Sequence, residues 1–327
     1  MSTRHRFALV LAAGDGTRLR SLTTDASGVA VPKQFCALAD RRDTTASARA
    51  GRSLLATTIA RAERIVARPR ITSVVAAQHR NWWKAEVSHL PAGNVVVQPA
   101  NRGTAPGILL PILEILRRDP RATILVLPSD HFVADEEVLS RAALQAIELA
   151  EREPDRIALL GIAPEHADPD LGWVVPGAAR GAGALAVHRF VEKPEPAVAD
   201  ELFSRGALWN SFLFAARGET LVRRFDRQLP GLADAMRGSL RNGRVAELYA
   251  ELPAHDFSRR ILEGAEDSLS LVAVPPCGWS DLGTPERIAA QGKHLIPPGE
   301  RSRTPAQQTS RSSLGRPEVW QRLQLAF

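Results

Sequence analysis

The sequence predicts an α/β protein: a mostly parallel β-sheet with helices on both faces, then an irregular α+β second half. Two observations predict it. Short continuous apolar runs, residues 7–13 and 123–127 among them, alternate with helical stretches through residue 162, the pattern of strands buried on both faces. Glycine-rich or acidic turns follow several of those runs, where open α/β sheets bind ligands around a topological switch point.

The first run, 7–13, breaks into Gly14-Asp15-Gly16-Thr17-Arg18 and reads as a first strand feeding a tight turn. Arg4 and Arg6 ahead of it faintly imitate a signal peptide. The run is short and leads to no small-residue cleavage site, so the expectation is a strand in a cytoplasmic protein. Two glycines two apart let backbone N–H groups approach an anion closely, and Arg18 and Lys33, the latter in Pro32-Lys33-Gln34-Phe35, add fixed positive charge. That is a cradle for a polyphosphate. It is neither a dinucleotide fingerprint, since Leu19 stands where the third glycine belongs, nor a P-loop, which needs Gly-Lys-Ser/Thr.

Residues 39–51, polar, basic and rich in Thr, Ser and Ala, read as an inserted surface loop. Ser53 caps a helix over 54–66, followed by a strand at 73–77, a helix at 79–90 carrying Trp82 and Trp83, and a strand at 94–98. Asn101-Arg102-Gly103-Thr104-Ala105-Pro106 leads into a helix at 107–118 that contains Pro111. The strand at 123–127 ends in Pro128-Ser129-Asp130-His131; a helix at 136–152 and a strand at 156–162 complete the regular half. Beyond it, strands are expected at 171–175, 184–191, 209–214 and 269–274, and helices at 197–205, 217–225, 232–239, 244–252 and 285–294. Residues 297–316 turn to Pro, Ser, Arg and Gln and read as a flexible basic tail, with room for a short helix at 318–327 that docks on the body or on another subunit.

The chain has 327 residues, 44% hydrophobic, enough for one large core or two modest ones. Its net charge of +6 is dominated by arginine without aromatic-interleaved basic runs, so a polyanionic small substrate is expected rather than nucleic acid. No apolar run reaches membrane-spanning length. Two scattered cysteines, Cys36 and Cys277, exclude a disulfide framework or zinc site and read as buried thiols.

Five pieces line up along the chain: Gly-x-Gly-Thr-Arg with Pro-Lys-Gln-Phe, Arg-Gly-Thr-Ala-Pro, Leu-Pro-Ser-Asp-His, Phe-Val-Glu-Lys-Pro, and Trp-Asn-Ser with Gly-Trp-Ser-Asp-Leu-Gly. In this order they resemble the sugar-phosphate nucleotidylyltransferases, and within them the bacterial mannose-1-phosphate guanylyltransferase branch, over about residues 7–293, without the isomerase half some of those enzymes carry. The resemblance implies a Rossmann-like sheet of the nucleotide-diphospho-sugar transferase type. Residues 1–165 would form a nucleotide-binding half and 166–296 a sugar-binding half. It further implies GTP and mannose 1-phosphate as substrates, Mg²⁺ as cofactor, neither nucleic-acid nor membrane partners, and room for a homodimer.

The chemistry is in-line attack of a sugar 1-phosphate on the α-phosphate of a nucleoside triphosphate, so catalysis is mostly charge neutralisation and alignment. By resemblance Arg18 stabilises the leaving phosphates, Lys33 holds the α-phosphate, and Asp130 and Asp281 hold Mg²⁺. The nucleotide is expected against Leu11, Ala12, Ala13, Gly14, Gly16, Thr17, Arg18, Lys33, Gln98, Gly103, Thr104, Ala105 and Ser129. The sugar phosphate is expected against Gly172, Glu192, Lys193 and Asn210. His131 reads as a structural neighbour, because a phosphate nucleophile has no proton to lose. Three positions depart from the branch: Ala13 and the Asn101–Thr104 order replace Leu-Ala-Gly-Gly and Gly-Arg-Asn-Thr patterns, and Phe212 stands where glycine follows Trp-Asn-Ser. Glucose 1-phosphate with UTP or dTTP, or a catalytically silent sugar-nucleotide binder, stay open as alternatives.

Overall fold

The computed structural model describes residues 3–298 apart from 26, 41–50 and 182. Its frame is a nine-stranded sheet of β1 (Arg6–Ala12), β3 (Ile71–Ala76), β4 (Val95–Gln98), β5 (Thr123–Pro128), β6 (Ile157–Ile162), β7 (Gly172–Gly181), β8 (Ala184–Glu192), β9 (Leu208–Arg217) and β10 (Leu269–Val274). The strand order is β4-β3-β1-β5-β9-β6-β10-β8-β7. Strands β4, β3, β1 and β5 are parallel neighbours, as are β6 and β10. Strand β9 lies between β5 and β6 and runs against both. The sheet is therefore the mostly parallel one expected, with antiparallel strands supplied by the second half of the chain.

The apolar runs work as their composition requires. Along β1, Ala8, Val10 and Ala12 face one core while Phe7 and Leu9 face the other, and along β5 Leu125 and Leu127 oppose Ile124 and Val126. Helices Leu54–Glu63 and Glu136–Arg152 cover the first face; Thr104–Arg118, Gly218–Gln228 and Leu232–Asn242 cover the second. Ser53 caps its helix as expected, its Oγ accepting the Ala56 N–H at 3.0 Å. Cys36 and Cys277 are free and buried. Among the described residues, no helix is long and apolar enough to cross a membrane.

Several elements differ from the sequence reading; the helix expected at 79–90, for example, is Arg80–Glu86, and the strand expected at 171–175 runs to Gly181. The helix expected from 107 starts at Thr104, because Pro106 falls in the first turn, where a missing N–H costs nothing. The loop expected from 39 begins instead as strand β2 (Ala37–Asp40), and residues 41–50 lie outside the described ones. The last helix is shorter than expected, Pro285–Ala290; Gly292, at φ +64°, turns the chain into strand β11 (Lys293–Ile296), which pairs antiparallel with β2. The expected tail from residue 299 onward also lies outside the described residues.

Candidate active site

The chain winds outward from β1 to β3 and β4, then returns to β5 on the other side of β1. That reversal is the switch point at which a crevice opens beyond the carboxyl ends of the strands. A cleft of about 690 Å³ lies there. Its first wall is the glycine loop. The Ser129 Oγ and N–H both donate to the Leu11 carbonyl, at 2.6 and 3.1 Å, which ties the ends of β1 and β5 together. Gln34 Nε2 donates to the Gly14 carbonyl at 2.7 Å and to that of Ala12 at 3.3 Å, fixing the loop from behind.

The two glycines do different work. Gly14 has nothing within 4 Å of where a Cβ would sit, so its backbone is open to an incoming group. Gly16 adopts φ +60°, and a Cβ there would lie 3.0 Å from the Lys33 backbone nitrogen. It presses the loop onto Pro32-Lys33-Gln34-Phe35. Arg18 is exposed on the cleft and has no hydrogen bond or ion pair among the described residues, so its guanidinium is available to an anion.

Lys33 is only 6% exposed and acts as a staple. Its Nζ lies 3.1 Å from Asp130 Oδ2 and donates to the backbone carbonyls of Asp281 at 2.6 Å and Leu282 at 3.2 Å. The two acidic loops are also latched directly: Phe132 and Ser280 exchange N–H···O bonds of 2.8 and 2.9 Å. Burial alone would raise the Asp130 carboxyl, but the Lys33 ammonium beside it and the hydrogen bonds it accepts together outweigh burial and hold the group below its ordinary range. His131 is pushed down to about 4 by burial and stays neutral at pH 7; its Nδ1 accepts the Trp279 indole N–H at 3.3 Å.

Asp281 is held by a residue that sequence reasoning missed. Arg287 Nη1 donates to both its carboxylate oxygens, at 2.9 and 2.8 Å, while Nη2 bonds the buried Asp168. The Gly283 N–H also donates to Asp281 Oδ1, at 3.0 Å.

The opposite wall, where the sugar phosphate is expected, comes from the start of β9 and the β7–β8 pair. Gly172 sits between Glu192 and Asn210, and a Cβ on it would fall 2.6 Å from Glu192 Oε2 and 3.2 Å from Asn210 Cβ. Burial, reinforced by the neighbouring Asp256 charge and only partly opposed by Lys193, raises the Glu192 carboxyl to about 7. Asn210 is buried, and its Oδ1 accepts the Phe212 N–H at 3.1 Å. Lys193 at φ +49°, Phe212 at +59° and Leu282 at +50° are the non-glycine residues with positive φ among the described residues. Two line the cleft and the third follows Asp281, the clustering expected where backbone strain is tolerated for function. Phe212 thus adopts a backbone conformation that suits glycine, while its ring packs edge-on against Phe257 and Phe214.

The segment 254–256, silent in the sequence, closes the far wall. Ala105 N–H donates to the His255 carbonyl at 2.9 Å, and Thr104 Oγ1 bonds Asp256 Oδ2 at 3.3 Å and accepts the Phe257 N–H at 2.7 Å. Gly103, at φ +80°, makes this approach feasible, since a Cβ would come within 2.3 Å of the His255 oxygen. Of the residues expected at the nucleotide, Leu11, Ala13, Gly14, Arg18, Lys33, Gln98, Gly103, Thr104 and Ser129 line the cleft. Ala12, Gly16, Thr17 and Ala105 do not line it: Ala12 and Ala105 are buried in the core, Gly16 packs against Pro32 and Lys33, and Thr17 is exposed. Asp130, Asp281, Gly172, Glu192, Lys193 and Asn210 all line it.

Residues 7–295 match the family model described as nucleotidyl transferase. The chain belongs to the nucleotidyl transferase family. Among its relatives, the xanthan biosynthesis protein XanB of Xanthomonas campestris pv. campestris (strain B100) is 30% identical over 289 residues, covering 84% of this chain and 57% of the relative. The mannose-1-phosphate guanylyltransferase of Escherichia coli (strain K12) is 29% identical over 302 residues, covering 87% and 59%. This nucleotidyl transferase chain therefore spans less than two thirds of the length of those relatives. Among solved structures, a mannose-1-phosphate geranyltransferase from Thermus thermophilus superposes with a TM-score of 0.72 at 28% identity, over 85% of this chain and 76% of that one. A UDP-glucose pyrophosphorylase complexed with UDP-glucose shares the fold, at a TM-score of 0.55 and 13% identity, over 88% of this chain and 97% of that one.

Proposed function

We propose that this nucleotidyl transferase joins mannose 1-phosphate to GTP, giving GDP-mannose and pyrophosphate. The observation that carries the reading is the Lys33 staple: one buried ammonium gathers the two acidic loops at the mouth of the glycine loop, in the cleft that Glu192 and Asn210 also line. A triphosphate laid along Gly14 meets open backbone N–H groups and the unpaired Arg18, so charge on the leaving pyrophosphate is neutralised in place. Lys33 faces the α-phosphate, where charge builds during in-line attack. The sugar hydroxyls meet Glu192 and Asn210, with Gly172 leaving room for the ring, and Lys193 holds the attacking phosphate.

Mg²⁺ fits the donor set through Asp130 and Asp281. Asp130 keeps a 41% exposed carboxylate, and Asp281 Oδ2 carries one donor, from Arg287. No group of three or more potential ligands occurs among the described residues, which suits a hard cation completed by substrate oxygens rather than a protein cage. When bound, the ion would neutralise phosphate charge and fix the triphosphate for attack.

Support for the nucleotide and sugar comes from the mannose-1-phosphate guanylyltransferase names among the relatives. Phe212, which lines the cleft two residues after Asn210, is the feature that favours testing other sugars. Pyrophosphate release is measured across GTP, UTP and dTTP with mannose and glucose 1-phosphates. GTP with mannose 1-phosphate is expected to be at least tenfold faster than any other pair; UTP or dTTP performing as well as GTP rejects the guanylyl assignment. The chain is expected to act in the cytoplasm; fractionation checks that.

A further inference from the structure

A second cavity, of about 260 Å³, opens at the opposite ends of the central strands. It lies where β6 and β10 begin and where β9 passes into the helix Gly218–Gln228. Four arginines line it: Arg156 before β6, and Arg223, Arg224 and Arg227 on that helix, against two acidic side chains, Asp155 and Asp267. Arg223 and Arg227 are one turn apart, so their like charges face the same side.

Arg224 is the unusual member. It is 7% exposed, its Nε has no partner among the described residues, and its one hydrogen bond is a long 3.4 Å contact from Nη2 to the Ile261 carbonyl. A buried guanidinium N–H left without an acceptor, as Nε is here, is costly. Burial and the Arg227 charge both disfavour its charged form, and the Glu266 charge does not offset them. Arg227 itself is exposed and has no ion pair among the described residues. By contrast Arg223 and Arg156 are anchored at one edge. Arg223 donates to Asp155 Oδ1 and Thr220 Oγ1, both at 2.7 Å, and Arg156 to the Asp267 carbonyl at 2.6 Å. Two guanidiniums are thus fixed in place, while two make no ion pair among the described residues.

We propose that this cavity binds a small phosphoryl-bearing anion, held from its floor by Arg224 and from its rim by Arg227 and Arg223. Arginine forks match tetrahedral oxyanions, and such an anion would meet the guanidinium nitrogens that line the cavity and relieve the repulsion along the helix. The site stands apart from the catalytic cleft, at the other end of the sheet, so it does not depend on the reaction proposed above.

The test is calorimetric titration of inorganic phosphate, and separately of pyrophosphate, into the full chain at constant ionic strength. Wild type, Arg18→Ala and the surface double variant Arg223→Ala/Arg227→Ala are compared. Phosphate or pyrophosphate binding that survives Arg18→Ala and weakens at least tenfold in the double variant supports the site. Tighter binding of pyrophosphate would mark a polyanionic occupant and equal affinities a single phosphoryl group, both within the proposal. Equal binding by wild type and the double variant overturns it, as does no binding of either anion to Arg18→Ala. Arg224→Met gives an independent reading. Without phosphate it should melt no lower than wild type, and adding phosphate should raise the melting temperature of wild type alone. Equal phosphate-induced shifts in the two proteins contradict the proposal.

Discussion

Lys33 Nζ sits 3.1 Å from Asp130 Oδ2. The same ammonium holds the carbonyls of Asp281 and Leu282, so one side chain sets the spacing of both carboxylate-bearing loops. Lys33→Met removes the charge and keeps the stem. Pyrophosphate release should fall by about 10²–10³-fold, the usual scale for losing one preorganised electrostatic contact. Urea unfolding should show a loss of about 1–3 kcal/mol from the orphaned backbone carbonyls. Activity within threefold of wild type would remove Lys33 from the reaction.

Arg287 links Asp281 to Asp168. Removing it strands two acidic groups that are at most 14% exposed, and breaking a buried pair from one side costs on the order of 3 kcal/mol. Arg287→Ala should therefore lower the melting temperature markedly, whereas Asp281→Ala should retain the fold and lose turnover. A correctly folded Asp281→Ala with normal turnover removes the carboxylate from the chemistry.

Glu192 supplies the pH dependence. Its carboxyl is raised to about 7 from an ordinary 4.5, chiefly by burial. The protonated form is favoured in the fold, so its contribution is fully present below about pH 4.5 and is lost as pH rises through 7. The shift is on the order of 3 kcal/mol in linkage. Glu192→Gln should flatten the decline in stability between pH 5 and 8, measured by urea midpoints. An identical pH profile in the variant excludes Glu192 as its source.

Gly172 and Gly103 test the close approaches. Gly172→Ala puts a methyl 2.6 Å from Glu192 Oε2, which should raise the KM for the sugar phosphate about tenfold or more and leave the nucleotide KM near wild type. Gly103→Ala combines φ +80° with a 2.3 Å backbone clash and should cost stability by more than about 2 kcal/mol, read from denaturation midpoints. Equal KM effects on both substrates in Gly172→Ala would place that residue elsewhere than the sugar side.

Much of this was legible in the sequence because the physics is local. β1 and β5 are apolar on both faces since both faces are covered, and such runs are visible as runs. The glycine loop, Asp130 and Asp281 follow strand ends, where charged and flexible residues stand out against apolar neighbours. What stayed hidden is long-range. β2 and β11 have four residues each and pair across some 250 positions, so neither carries a periodic signal of its own. Residues 254–256 are placed by bonds to Arg102, Thr104 and Ala105, and no pattern within them announces that. Arg287 looks like any helix-surface arginine until the fold turns it onto Asp281 and Asp168. The clash that makes Gly172 necessary comes from Glu192, its partner across the β7–β8 pairing, and from Asn210 on β9, and it shows only once the register is set.

The most direct test is a crystal structure of the full chain with GTP and Mg²⁺. The triphosphate is expected along Gly14, with phosphate oxygens within roughly 3 Å of Arg18 and Lys33 nitrogens and the ion against Asp130 and Asp281. A nucleotide bound with its phosphates away from those four side chains would contradict the account.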